Sequence, residues 1–300
     1  MATVTVSIGS NQSIDTETTS GCTGSGPWVT TFGTTPSGIA VGDLATGSDA
    51  FANTFIWLVT AISGDDITLK YISGGMSATS PCAIGSFGGG GVITFKRYYS
   101  TITLWEAGLD ATALYSSSDD AVGECYNDSV FNEEDVVINN GGTVGLSSVT
   151  LSVASGERHD GTVGSGARVV ANASYDALVK FDVSNQLKLE WLELNGAGYG
   201  NQNAACFSQS TSVHSSDRTK QVCANLLVTA GGNSERFIHG IHARARPLTV
   251  LNCIVYDIES ENRSGSIHAV GIGGDDKMDI LNCTVHNVAY DSDGSSGEAY

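Results

Sequence analysis

Two stretches of the chain are near-copies of each other, Leu248-Thr-Val-Leu-Asn-Cys-Ile-Val-Tyr-Asp-Ile and Met278-Asp-Ile-Leu-Asn-Cys-Thr-Val-His-Asn-Val. They lie 30 residues apart, so Asn252-Cys253 falls on Asn282-Cys283. A fixed period of this size marks stacked supersecondary units, each too small to bury its apolar face without a neighbour. With Asn252 as reference, the equivalent positions read as Glu190, Asn225 and Asn282, at spacings of 35, 27 and 30 residues. A second register recurs in Phe237-Ile-His239 and Ser266-Ile-His268, 29 residues apart. Two strands per coil returning in the same order suit a parallel β-helix, and a sandwich has no reason to show them.

In such a stack each coil lies roughly 4.8 Å above the last, and like residues sit on like. Asn252 and Asn282 are therefore expected to form a side-chain amide ladder at a turn. Cys253 and Cys283 are expected to stack as small buried thiols, with a disulfide between them as the other reading. The chain has 7 Cys, an odd number, and no Cys-x-x-Cys, so zinc-site spacing is absent.

From about residue 136 the sequence runs in short β-branched segments separated by Gly, Ser and Asn: Val136–Ile138, Val149–Val153, Ala167–Val170, Leu178–Val183 and Leu187–Leu194. The last two alternate inward and outward positions. Residues 1–97 read as a separate small β barrel or sandwich. Within them Phe55–Ile62 and Ile67–Ile72 flank the turn Ser63-Gly-Asp-Asp66 as a hairpin, and the run Gly88–Gly91 precedes Val92–Phe95. Residues 98–135 read as a capping segment. There Thr103-Leu-Trp-Glu106 fits a capping box, predicting a short helix over 104–109 that offers Leu104 and Trp105 for burial. The organisation expected is all-β: residues 1–97, a cap over 98–135, and a right-handed single-stranded parallel β-helix over 136–300. The last residues, Asp291 to Tyr300, form a loop straight after a strong strand. A partner covering that end, or a natural chain continuing past 300, is expected.

Composition narrows function. Net charge is −18, from 14 basic and 32 acidic residues, and residues 98–300 carry −15 of it. Such a surface repels phosphate backbones, which argues against nucleic-acid binding. No apolar run approaches membrane-spanning length, and the N-terminus has neither the basic region nor the apolar core of a secretory signal.

The segments Tyr98-Tyr-Ser-Thr-Ile-Thr-Leu-Trp-Glu-Ala107, Gly123-Glu-Cys-Tyr126, Gly156-Glu-Arg-His-Asp-Gly161 and Leu189-Glu-Trp-Leu-Glu-Leu-Asn-Gly196 resemble the cap helix, first coil, loop and first regular strand of right-handed parallel β-helix proteins of bacteriophage particles. The likeness covers about two-thirds of the chain. It implies a non-enzymatic virion protein at the particle surface, a capsid decoration or tail appendage docked through residues 1–97. It further implies contacts with other virion proteins, self-association as a homo-oligomer, and no cofactor.

The alternatives are a polysaccharide-degrading tail spike, acting as glycoside hydrolase or lyase, and a non-catalytic adhesin for host surface polysaccharide. A hydrolase needs two carboxylates flanking the bond. Asp275 and Asp276 partly match the polygalacturonase pattern, but in a Gly-rich turn where solvated Asp is ordinary. A lyase needs an Arg base beside calcium-holding carboxylates. Arg244, Arg246 and Arg263 lie near Asp257, Glu259 and Glu261, where ridge ion pairs are the commoner outcome. Asp291 and Asp293 form a short acidic loop without EF-hand spacing. His239, His242 and His268 are concentrated but lack an evident third metal ligand. Glu157-Arg158-His159-Asp160 holds acid–base types with no triad spacing. The outward aromatics that can be nominated, Trp191, Tyr256 and Tyr290, are too few to make a sugar groove.

Overall fold

The computed structural model describes residues 2–23, 27–48, 54–74, 92–173, 175–182, 186–197, 200–209, 221–232, 237–244, 247–260, 267–275, 277–290 and 297–299. Strand β1 (Thr3–Ile8) comes first. Six strands follow: β2 (Asp15–Thr23), β3 (Trp28–Phe32), β4 (Leu44–Ser48), β5 (Thr54–Ser63), β6 (Asp66–Gly74) and β7 (Val92–Lys96). They close into an antiparallel barrel in the order β2-β3-β6-β5-β4-β7. Its interior is filled by Phe32, Phe55, Trp57, Ile67, Leu69, Ile93 and Phe95, all at most 2% exposed, so the barrel is a packed core and not a ligand cavity. The expected hairpin is β5–β6, turning at Gly64 with φ 58°. The run Gly88–Gly91 lies outside the described residues.

Helix α1 (Ile102–Gly108) leads into a stack that supplies one strand to each of three parallel sheets, six times over. The successive coils are β8 (Asp120–Cys125), β9 (Phe131–Asn132), β10 (Val136–Ile138); β11 (Ser148–Val153), β12 (Arg168–Val170), β13 (Tyr175–Phe181); β14 (Gln186–Glu190), β15 (Glu193–Ala197), β16 (Gly200–Gln209). Above them lie β17 (Gln221–Ala224), β18 (Leu227–Gly232), β19 (Phe237–Ala243); β20 (Leu248–Leu251), β21 (Ile254–Ser260), β22 (Ile267–Gly274); β23 (Met278–Leu281), β24 (Thr284–Tyr290), β25 (Gly297–Ala299). The chain is a parallel β-helix carrying a small barrel. Inward positions stack into one apolar column, such as Leu194, Val228 and Val255, each fully buried.

Three boundaries differ from the sequence reading. First, β1 is not part of the N-terminal domain: it pairs in parallel with β8, Thr3 to Asp120 through Ile8 to Cys125, and begins the seven-stranded sheet. The barrel is therefore an insertion between the first strand of the β-helix and its cap, and the coils begin before residue 136. Secondly, the helix starts two residues early. Thr101 is the N-cap, its side chain accepting from Leu104 N, and the backbone N–H groups of Ile102 and Thr103 donate to Glu133 of the first coil, about 30 residues on, instead of to Glu106. A buried carboxylate satisfies Ile102 N at 2.7 Å and the Thr103 hydroxyl at 2.6 Å, which outweighs a local capping box. Trp105 is buried and Leu104 is exposed. Thirdly, Leu187–Leu194 is two strands. Trp191, at φ 65°, turns the chain between β14 and β15.

The joint between barrel and β-helix is polar and buried. Arg97 Nη1 lies 3.0 Å from both carboxylate oxygens of Asp43, its Nε donates to Asp128 at 3.3 Å, and the guanidinium covers the Tyr126 ring at 3.6 Å. Asp43 is fully buried, and burial pushes its carboxyl above the usual range against the opposing pull of Ser7 and Arg97. Gly42 lets the barrel backbone meet β1: at φ 96°, any Cβ would sit 3.0 Å from Ser7 N and from the Val6 backbone. There Ser7 N donates to Gly42 O at 3.0 Å.

Candidate functional site

Carboxylates, cations and an aromatic converge on solvent at the outer face of the seven-stranded sheet. Strand alternation aims Glu124, Ser152 and Glu190 outward in one column on successive coils. Ser152 Oγ donates to Glu190 Oε1 at 3.1 Å, and Lys188 Nζ lies 2.6 Å from Glu190 Oε2. Beside them runs a shallow groove of about 340 Å³ lined by Ser148, Thr150, Gln186, Leu187, Lys188 and Val222. Burial pushes the Glu124 carboxyl above its ordinary range, opposed by the nearby Arg158 charge. Two coils separate Glu124 from Glu190, roughly 9.6 Å of rise.

The corner next to this column is closed by the loop 154–167, which climbs across several coils. His159 Nε2 lies 2.8 Å from Asn225 O, and Gly161 N donates to His159 Nδ1 at 3.3 Å. The proton therefore sits on Nε2, donated to the Asn225 carbonyl. Both ring nitrogens are committed to backbone, so His159 is no general base. Arg158 lies over the Trp191 ring at 4.7 Å, and its Nε donates to Val153 O. Gly164 N donates to Glu193 Oε2 at 2.7 Å. Glu193 itself is fully buried, and its Oε1 has no hydrogen-bond partner. Asp160 holds the loop turn through Thr162 N and Ser165 Oγ, contacts that draw its carboxyl below the usual range. The quartet 157–160 thus works as a strap fastener, with no triad geometry.

Trp191 occupies the position that three higher coils fill with Asn: residues 191, 225, 252 and 282 all lie at φ between 53° and 65°. Glu190 pairs with Ala224, which makes Trp191 and not Glu190 the structural equivalent of Asn225. The equivalence is one residue away from the sequence expectation because Trp is a poor αL residue and nothing in its chemistry resembles Asn. Above it the amides form a ladder. Asn282 Nδ2 donates to Asn252 Oδ1 at 2.8 Å, and Asn252 Nδ2 to Asn225 Oδ1 at 3.2 Å. A second rung pair lies inside the same repeat: Asn287 donates to Asp257 Oδ1 at 2.5 Å, both at positive φ. Tyr256 stacks on His286 at 5.9 Å one coil above, so it is paired with a neighbour on the ridge.

Asp275 and Arg244 come together at one ridge, beside the histidines. Asp275 is exposed, with Oδ2 4.0 Å from His242 Nε2, and Arg244 is exposed while its backbone N donates to Gln209 Oε1. His239 and His242 stack face to face, 4.0 Å between centroids and 4° between planes. Burial lowers both, to about 3 and about 4, with Arg244 adding to the effect, so they are neutral near pH 7. The expected His239–His268 column is not formed, since His268 pairs with Phe237 and His239 with Val270. The register is set by Gly240 over Gly271, where a Cβ would strike Val255 at 2.5 Å and Val285 at 2.4 Å respectively. Core packing outranks the histidine match. Asp276, Arg246, Arg263, Asp291 and Asp293 lie outside the described residues. Among the described residues no group of three His, Cys, Asp or Glu could hold a metal ion, and no helix is long and apolar enough to cross a membrane.

Comparison of the chain with protein families, curated proteins and solved structures finds no match.

Proposed function

We propose that the chain is a non-enzymatic structural protein of a bacteriophage particle, a stiff β-helical projection serving as capsid decoration or tail appendage. The observation that carries this reading is the joint. A base domain inserted between β1 and α1 is tied to the shaft by two chain crossings and the buried Arg97–Asp43–Asp128 cluster. A pendant domain on a linker would swing, whereas this base is continuous with the first coil and suits a rigid projection. The assignment to a virion, with contacts to other particle proteins, self-association and a surface location, rests on the sequence resemblance. The acidic exterior keeps such a projection off packaged nucleic acid.

Particles purified from the native source, probed with antibody against the barrel by immunogold microscopy, are expected to be labelled at regular surface positions. Unlabelled particles would overturn the reading. Incubating the protein with host polysaccharide is expected to release neither reducing ends nor unsaturated uronates. Turnover abolished by Glu124→Gln or Glu190→Gln would replace the structural reading with the tail-spike one. Retention of polysaccharide without turnover would favour the adhesin.

A further inference from the structure

Identical side chains stacked in a β-helix are held one coil apart, and for thiols that distance has a chemical meaning. The corner after β20 places Cys253 directly beneath Cys283: the flanking strands pair Leu251 with Leu281 and Ile254 with Thr284. Thr284 N donates to Cys253 O at 2.9 Å, and Cys283 Sγ lies 3.5 Å from Cys253 N. Each thiol leans the same way, Cys253 Sγ toward Cys223 O at 3.8 Å and Cys283 Sγ toward Val250 O at 3.6 Å. Both are free. A one-coil rise of roughly 4.8 Å falls inside the 4.4–6.8 Å window of Cα separations that disulfides span. The backbones are already fixed in register by the Asn ladder alongside. Closure therefore asks for side-chain rotation and no movement of the chain.

We propose that Cys253 and Cys283 are an oxidisable pair, free when the coil forms and able to close into a disulfide that fastens one coil to the next. The co-reactant is a low-molecular-weight disulfide. The half-buried Cys283, as thiolate, attacks one sulfur of the reagent and expels one thiolate equivalent, giving a mixed disulfide. Cys253, as thiolate, then attacks the Cys283 sulfur and expels the second. Two protein thiols become one disulfide, and one reagent disulfide becomes two thiols. Cys125 and Cys223 are fully buried, and the residues paired with them in the next coil are Val153 and Val250. Burial pushes the Cys253 thiol up to about 12, so the second step is slow near neutrality and quickens as pH rises.

The test uses the 300-residue chain incubated with glutathione disulfide at pH 7 and pH 9, then alkylated, digested and mapped by mass spectrometry. The expected product is a peptide pair joined through Cys253 and Cys283, two hydrogens lighter than the reduced pair. Where the second step limits, it should form on the order of a hundredfold faster at pH 9, and dithiothreitol should revert it. The oxidised chain should also unfold at a higher temperature than the reduced chain, and Cys283→Ser should lose this shift. Recovery of Cys253 and Cys283 as alkylated thiols, or as glutathione adducts that never resolve, would overturn the proposal. Because the mapping is done on the unaltered chain, its outcome does not depend on how well the serine variant folds.

Discussion

The lower and upper coils of the β-helix solve the same packing problem differently. From β17 upward, one corner is built three times from the same parts: an Asn at positive φ, an amide rung and, in the last two coils, a Cys. Below β17 no corner copies another among the described residues. The first coil is closed by α1 and the buried Glu133, and the corner after β11 by the 154–167 strap. At the next corner, after β14, Trp191 stands where Asn would recur. A unit stacked on its own likeness can be held by repeating rungs, because each side chain finds its partner one coil away. A unit meeting a barrel, a cap or a strap has no like neighbour and must be specified by single long-range contacts. The repeat is visible in the sequence only where the first solution is used.

If the lower half depends on unrepeated contacts, cutting one should cost more than cutting a rung. Arg97→Ala leaves Asp43 buried without its ion partner and uncovers Tyr126. Removing one member of a buried pair costs about 3–5 kcal/mol. Urea unfolding should show the midpoint falling accordingly; an unchanged midpoint would mean that barrel and shaft do not share stability. In the upper coils the comparable liability is acid. His239 and His242 have folded values of about 3 and about 4 against 6.5 unfolded, chiefly from burial. The unfolded chain therefore binds more protons between these limits, so stability present above pH 6.5 is lost as pH falls toward 3. Asp275 partly opposes this loss, while Arg244 and His268 deepen it. Thermal unfolding followed from pH 7 to pH 4 should be less pH-dependent in His239→Gln than in the parent; parallel curves would remove the pair from the account.

Glu133→Ala tests the cap. It removes the acceptor of Ile102 N, Thr103 N and the Thr103 hydroxyl at the start of a seven-residue helix. The expected loss is about 2 kcal/mol, from a cap and a charge-assisted bond together. Stability within error of the parent would return the capping role to Thr101 alone.

The same division explains what could be read in advance. The Asn252–Asn282 and Cys253–Cys283 registers were legible because both members carry one chemistry at one spacing. The barrel hairpin was legible because two apolar runs flank a turn. β1 was not, because its alternation of Val4, Val6 and Ile8 is that of any half-buried strand, and its partner lies 117 residues away. Of the candidate site, the sequence offered Trp191 and the 157–160 quartet. It could not indicate that Glu124 and Glu190 share a column, since that follows from the pairing of β8, β11 and β14. The histidine register failed for a related reason: two glycines, silent as chemistry, fix the pairing.

The smallest expected effect probes the ladder, and it bears most directly on the contrast between the two halves. Asn252 donates to Asn225 and accepts from Asn282, so its amide is the middle rung. Asn252→Ala removes both bonds and asks an alanine to hold φ 53°. The rung is exposed, so each lost bond is worth about 0.5 kcal/mol, the low end for a hydrogen bond, and the αL cost for Ala adds roughly 1 kcal/mol. The expected loss is about 2 kcal/mol at most. Asn252→Gly separates the two contributions, since it loses the same bonds without the backbone cost, and it should recover about half. Equal losses in the two variants would mean that the rung and not the backbone decides. Full recovery in Gly would mean that the ladder is a consequence of the αL turn and contributes nothing of its own. In that second case tolerance of positive φ, and not the amide, decides this corner, and the upper coils would be as singly specified as the lower.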